Sequence, residues 1–225
     1  HCWACRVGYV GVLAMATKSA ICFFLLIVFL QLIPQMAEGN SFKTQNLKYG
    51  INVDIPLGWE ILPKNILRQL DNATEARTGI NQSNNEILIA ANCYTLDKNP
   101  SATFRISVRK IKTELTQKKL RNFSDKDFKS ALYDSINYAL ETDKLMGSKT
   151  DINTLTVFTA RVDNLIALVS SKNIQFPERE EAHILYIIPT SYGNIKIYAS
   201  FNKAEESVLK EIMIKILSSI KIGKK

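Results

Sequence analysis

Past residue 48, apolar side chains recur with a period of two in some stretches and close to 3.6 in others. Tyr49, Ile51, Val53 and Ile55 alternate with Gly50, Asn52 and Asp54, which predicts a strand; Pro56-Leu57-Gly58 then turns the chain into Trp59-Glu60-Ile61-Leu62. Residues 86–96 are apolar on both faces (Ile87, Ile89, Ala91 and Cys93 against Leu88, Ala90, Tyr94 and Leu96), the pattern of a central strand covered twice. Phe104, Ile106 and Val108 alternate with Arg105, Ser107 and Arg109, predicting a strand with one wet face. Residues 155–162 and 165–170 flank the hairpin turn Asp163-Asn164, and residues 182–188 and 195–201 flank a second turn at 191–194.

The helical period carries its own boundary signals. Ser124 and Asp127 form a capping-box pattern ahead of a face made by Phe128, Leu132, Ile136, Ala139 and Leu140, and Gly147 ends it. Val208, Leu209, Ile212, Met213, Ile216, Leu217 and Ile220 form a wide apolar stripe, with Asn202 and Glu205 placed to cap its start. Pro63 suits a first helical position before Ile66, Leu67 and Leu70. Short turns between strands imply antiparallel pairing, and a strand that is apolar on both faces needs cover on both. The expected fold is α+β, an antiparallel sheet sandwiched between helices as an α/β/α domain over residues 40–225. Residues 40–48 are expected to be a flexible lead.

Two parts of this pattern carry a family resemblance. The stretch Tyr49-Gly-Ile-Asn-Val-Asp-Ile-Pro-Leu-Gly-Trp59 resembles the extended strand and Pro-x-Gly-Trp entry of PsbP-like proteins. The ending is similar too: Gly193 in a turn, the strand 195–201, an acidic helix start, then Ser219-Ile220-Lys221-Ile222. The same superfamily holds Ran-binding Mog-type proteins and exported bacterial proteins of unknown role. The resemblance implies a binding or assembly accessory without catalytic machinery. It carries no functional residue onto this chain, and the metal and photosystem II contacts of plant members have no counterpart positions here.

The N-terminal region reads as an address. Residues 21–33 are free of charge, follow Lys18, and lead to Pro34 and the small-x-small ending Ala37-Glu38-Gly39. These are the parts of a secretory signal peptide, in a run short for a transmembrane helix. Residues 1–39 are therefore expected to be an upstream segment plus a signal peptide cleaved after Gly39, with Met15 as the natural start. The alternative is an uncleaved anchor over residues 20–34. Export argues against a nuclear Ran-binding role. Cys2 and Cys5 form a C-x-x-C pair outside any strand-to-helix context, and Cys22 lacks the lead-in of a lipoprotein site. Cys93 alone remains after cleavage, so no internal disulfide is expected.

Composition narrows the chemistry. Apolar residues make up 46% of the 225, with four Cys, two His, nine Gly and six Pro, which excludes disordered, collagenous and disulfide-scaffold classes. His183 is the single histidine past the leader, beside Arg179, Glu180 and Glu181. A Cys93–His183 pair is the one nucleophile–base combination available, and a surface or strand-edge His183 is the plainer reading. The Ser-x-x-Lys matches Ser107–Lys110 and Ser218–Lys221 fall on a strand and a helix end, away from the helix start that chemistry requires. Asp125 and Asp127 suit helix-start charges rather than a calcium loop, and Glu178–Glu181 lacks an opposing carboxylate. No catalytic, cofactor-binding or metal residue is assigned. Asn72, Asn81 and Asn122 match the N-glycosylation pattern, which acts only in a eukaryotic secretory path.

The net charge of +8 is concentrated: eight Lys or Arg stand against three acids in residues 109–129, with Phe123 and Phe128 among them. Such a stretch can attract an anionic envelope component or a protein, whereas export and the lack of a base-stacking pattern argue against nucleic acid. The expectation is an exported, non-enzymatic accessory or binding protein. Its first candidate surface is the basic stretch 109–129, above all Lys118, Lys119 and Arg121. Loop 72–85 is the second. A membrane-anchored form and a hydrolase with an unusual His183 site are the alternatives.

Overall fold

In the computed structural model, the alternation around Phe104 becomes one of the inner strands of a seven-stranded antiparallel sheet. The structure describes residues 41–78, 84–95, 98–111 and 114–223. The expected signal segment lies outside them. The chain from Phe42 to Lys225 forms one compact unit.

The elements run β1 (Phe42–Asn46), β2 (Ile51–Pro56), β3 (Glu60–Ile61), α1 (Lys64–Thr78), β4 (Asn85–Tyr94), β5 (Pro100–Arg109), α2 (Gln117–Arg121) and α3 (Asp125–Met146). They continue with β6 (Lys149–Val162), β7 (Leu165–Gln175), β8 (Glu180–Thr190), β9 (Gly193–Asn202), α4 (Glu206–Ser219) and β10 (Lys221–Ile222). The large sheet has the order β3-β4-β5-β9-β8-β7-β6. A second sheet, β1-β2-β10, brings Phe42–Asn46 and Ile51–Pro56 together with Lys221–Ile222. The α+β class and the helix–sheet–helix layering are as expected.

Several details depart from the pattern. The lead over residues 40–48 contains β1, whose only large apolar residue is Phe42; it is ordered by pairing with β2 and by the Thr44 hydroxyl donating to Asp54 at 2.6 Å. The turn at Pro56–Trp59 closes with the Trp59 amide on the Pro56 carbonyl. It does not make a hairpin, because β2 and β3 go to different sheets. The strand apolar on both faces, β4, lies next to the edge, while β5, β9 and β8 are inner strands. Alternation reports the polarity of a strand's faces, not its place in the sheet. The region 72–85 begins as helix, since α1 runs to Thr78; residues 79–83 lie outside the described residues.

The caps follow the sequence. Ser124 and Asp127 bond reciprocally, and Gly147 ends α3 in the left-handed region at φ 63. The Asp163-Asn164 turn is made with Asp163 at φ 53. Asn202 caps the single 3-10 turn ahead of α4 through the Ala204 amide, whereas Glu205 makes no side-chain cap bond.

One face of the large sheet is sealed. Phe104, Ile106, Val108, Ile195, Ile197 and Ile188 are fully buried against Leu209, Met213 and Ile216 of α4 and Ile51, Val53 and Ile55 of β2. The opposite face lies under α1, α2 and α3 and is covered less completely. Within α3 only Ala139 is buried, and Leu140, expected on the inward face, is 47% exposed. Val208 of the α4 stripe likewise points outward at 57%.

Candidate functional site

The helix-side face of the large sheet is built from the polar half of each alternating strand. In β5 those positions are Thr103, Arg105, Ser107 and Arg109; in β9 they are Lys196, Tyr198 and Ser200; in β8, Glu181 and His183. Direct cross-strand pairs join Arg105 to Tyr198 and His183 to Ser200, while Lys172 of β7 pairs with His183 from the other side. A polar band with four Lys or Arg side chains and one acid therefore crosses the middle of the sheet.

His183 stands at the centre of a chain of hydrogen bonds. Its Nε2 lies 2.9 Å from Glu181 Oε2 and its Nδ1 2.7 Å from the Tyr198 hydroxyl. Both His183 and Glu181 side chains are nearly buried, at 13% and 12% exposure. Arg179 Nε donates to the second Glu181 oxygen at 2.5 Å, and the guanidinium lies 5.6 Å from the centre of the Phe176 ring. Burial works against the Glu181 carboxylate, but bonds from His183 and Arg179 outweigh it and hold its pKa below the ordinary range. Burial pushes the Tyr198 hydroxyl up to about 12. The Glu181 carboxylate and the Tyr198 hydroxyl thus hold the two ring nitrogens of His183 from either side.

The nucleophiles considered from the sequence are not brought to this histidine. Cys93 pairs with Ala102 and packs on the sealed face, and strands β5 and β9 separate β4 from β8. Cys93 and His183 are thus on opposite faces, about 14 Å apart at the inter-strand spacing. Ser107 and Lys110 diverge, because Lys110 pairs with Glu86 at 3.1 Å. The Ser218 hydroxyl bonds the Lys215 carbonyl, while Lys221 lies 3.8 Å from Asp163. Asp127 is consumed by the capping box. Among the described residues no three His, Cys, Asp or Glu side chains gather as a metal site.

A second polar cluster ties the two sheets together at one end. Glu86 accepts from Lys48 Nζ at 2.5 Å, from the Tyr49 hydroxyl at 2.8 Å and from Lys110 Nζ at 3.1 Å. The Tyr49 ring stacks on Tyr192 at 4.7 Å. Hydrogen bonds from Lys48, Tyr49 and Lys110 hold the Glu86 pKa at about 2, against an ordinary 4.5. A depressed folded-state pKa contributes stability that is complete above pH 4.5 and lost as pH falls toward 2. Because Glu86 is a quarter exposed, the contribution is set at about 1–2 kcal/mol rather than the full shift. Unfolding free energies of wild type and Glu86→Gln from urea titrations should differ by that amount at pH 7 and converge between pH 4.5 and 2. A gap that persists at pH 2 contradicts the assignment.

The basic stretch has a rigid centre. Thr116 caps α2 by accepting from the Lys119 amide, and Leu120 is buried beneath it. Gln117 donates to the Ile166 and Pro189 carbonyls at 2.9 and 3.0 Å and accepts from the Ile166 amide at 2.9 Å, clamping α2 to β7 and β8. Lys118, Lys119 and Arg121 then point outward and are exposed. Phe123 and Phe128 pack edge to face at 5.0 Å, so these aromatics serve each other. Sequence reading found the cations but missed Gln117, since bonds to backbone leave no residue pattern.

No family model and no curated protein sequence matches the chain. Solved structures do. Cyanobacterial PsbP (CyanoP) from Synechocystis sp. PCC 6803 matches at a TM-score of 0.50 with 9% identity, covering 81% of this chain and 93% of that one. LpqN, described as involved in cell envelope biogenesis of Mycobacterium tuberculosis, matches at 0.46 with 12% identity, covering 82% of this chain and 91% of that one. The fold is PsbP-like.

Proposed function

We propose that this chain is an exported, non-enzymatic accessory protein of the cell envelope that presents a fixed cationic patch to an anionic partner. The observation that carries this reading is the Gln117 clamp. Three hydrogen bonds from one side chain hold α2 against the sheet, so Lys118, Lys119 and Arg121 are displayed in a set geometry. Fixed cations lose less entropy on meeting an anion than cations on a loose loop. The leader-like residues 21–33 support an envelope location, and among the described residues no helix is long and apolar enough to cross a membrane. Against a hydrolase stands the hydroxyl bonded to His183: Tyr198 is partly buried and its pKa raised, the opposite of an activated nucleophile.

Two measurements test the reading. Mass spectrometry of the protein from its own cells should give Asn40 as the first residue, whereas retention of residues before Ile33 supports the anchored alternative. Salt-sensitive retention of the released protein by anionic envelope fractions should fall about tenfold in a Lys118→Ala, Lys119→Ala, Arg121→Ala triple variant with an unchanged melting temperature. Equal retention of variant and wild type removes the patch as the binding surface.

A further inference from the structure

One side of α3 is cationic and apolar at once, and it faces solvent. Lys126, Lys129, Tyr133, Asn137, Leu140 and Lys144 follow one another at steps of three or four residues, and all six are exposed. The steps average one helical turn, so the six form a straight stripe about 27 Å long. Tyr133 is 65% exposed and Leu140 47%, with lysines at either end of the stripe. The stripe holds no acid; Asp134 and Glu141 lie about a quarter of a turn round the helix. None of the ion pairs among the described residues includes Lys126, Lys129 or Lys144.

The stripe is fixed in place and continues a second cationic surface. The reciprocal Ser124–Asp127 box and the left-handed Gly147 hold the two ends of α3, and Ala139 is buried on its inner side. Bonds from Ser124, together with the charges of Lys119 and Lys126, hold the Asp127 carboxyl below the ordinary range. Lys119 of α2 and Lys126 of α3 are therefore neighbours around one carboxylate, and the α2 patch runs on into the stripe.

The apolar residues separate the anionic partners that the charge attracts. A soluble polyanion satisfies the lysines and leaves Tyr133 and Leu140 in water. An anionic lipid surface takes both: its headgroups meet the ammonium groups, while the aromatic and aliphatic side chains enter the boundary between headgroups and acyl chains. A helix that is already formed loses less entropy on reaching that surface. We propose that the Lys126–Lys144 stripe of α3 is a seat for an anionic lipid surface, on which the protein lies with Tyr133 and Leu140 inserted. The inference rests on the proposed anionic envelope partner, names its class, and adds α3 to the surface that meets it.

The test is co-sedimentation of residues 40–225, which contain the compact unit Phe42–Lys225, with lipid vesicles. The apolar run 21–33 is left out so that it contributes nothing. Vesicles of phosphatidylglycerol and phosphatidylcholine in equal parts should bind the protein. Vesicles of phosphatidylcholine alone should bind it about a hundredfold less, since each lysine near an anionic surface is worth about fivefold. A Lys126→Gln, Lys129→Gln, Lys144→Gln triple variant should fall to the neutral-vesicle level. A Tyr133→Ser, Leu140→Ser double variant should bind anionic vesicles about tenfold less and keep the wild-type affinity for soluble poly-glutamate. Tyr133→Ser alone, at the more exposed position, keeps the test open if Leu140→Ser disturbs the helix. Full vesicle binding by the serine variants makes the face a surface for charge alone and overturns the proposal. Equal binding to anionic and neutral vesicles, or to neither, also overturns it; retention by envelope fractions that the α2 triple variant still loses then leaves the patch standing without the lipid. Vesicle binding that needs the stripe but survives the α2 triple variant removes the patch and upholds the lipid seat.

Discussion

Phe104→Ala is expected to lower the unfolding free energy by about 3–5 kcal/mol, more than any other single truncation in the core. The ring is fully buried on an inner strand, and its cross-strand partners are Ala91 on β4 and Ala199 on β9, both also fully buried. Large beside small is what lets one ring fill the space over three strands. It also means that neither neighbour has atoms to move into the space left behind. Met213 and Ile216 close the volume from α4, whose seat against β2 and β9 fixes their distance from the sheet. The cavity therefore persists, and the cavity cost adds to the lost transfer free energy. In a domain of this size the melting temperature should drop by about 10 °C. Thr103→Ala, on the opposite face of the same strand, serves as the control and should cost under about 1 kcal/mol. A Phe104→Ala variant within that same range contradicts the placement of the ring at the centre of the core.

The contrast between Phe104 and Arg105 shows what the sequence could and could not express. Alternation in Phe104-Arg105-Ile106-Ser107-Val108 identifies one inward and one polar face correctly, because period two is a property of the strand itself. It is silent on the strand's neighbours, and those decide whether the polar face meets solvent or helices. β5, β9 and β8 each carry polar groups on the same side, so Arg105, Tyr198 and His183 fall into one band. The signal for that band existed: three strands with charged or hydroxylated side chains at matching periodic positions. Reading it required the β5–β9 pairing, which joins segments nearly a hundred residues apart. Local devices were legible for the same reason that non-local ones were not. The Ser124–Asp127 box and the Asp163-Asn164 turn lie within a few residues, whereas Gln117 meets Ile166 and Pro189, and Glu86 meets Lys48. β1 was invisible because its order comes from pairing with β2, not from its own composition. The latter half of α1, polar from Asp71 to Thr78 apart from Ala73 and Ala76, carried no wide apolar stripe to reveal it.

Gly193→Ala is the second substitution expected to be severe, at about 3 kcal/mol or more, combining backbone strain with a steric clash. Gly193 opens β9 with φ at 138, a conformation that side chains rarely adopt. A Cβ there would run into the Arg109 carbonyl and crowd Lys110 Cα. All of those atoms are backbone, so no rotamer change relieves the clash. The close approach exists because Arg109 pairs with Asn194 at the end of the β5–β9 ladder, while the Thr190 hydroxyl donates to the Gly193 carbonyl at 2.6 Å from the other side. Moving Gly193 away opens the ladder; moving Arg109 and Lys110 away pulls Lys110 off Glu86. The second route makes a further observable, because part of the force holding the Glu86 pKa near 2 comes from Lys110. In Gly193→Ala the acid-dependent share of stability should therefore shrink along with the total. Gly147→Ala separates conformation from crowding: Gly147 also has positive φ, at 63, but a Cβ there meets nothing within 4 Å. That variant should cost about 1 kcal/mol, the price of the left-handed region alone. Equal losses at the two glycines would place the effect in backbone conformation, and the close contact with Arg109 would then contribute nothing.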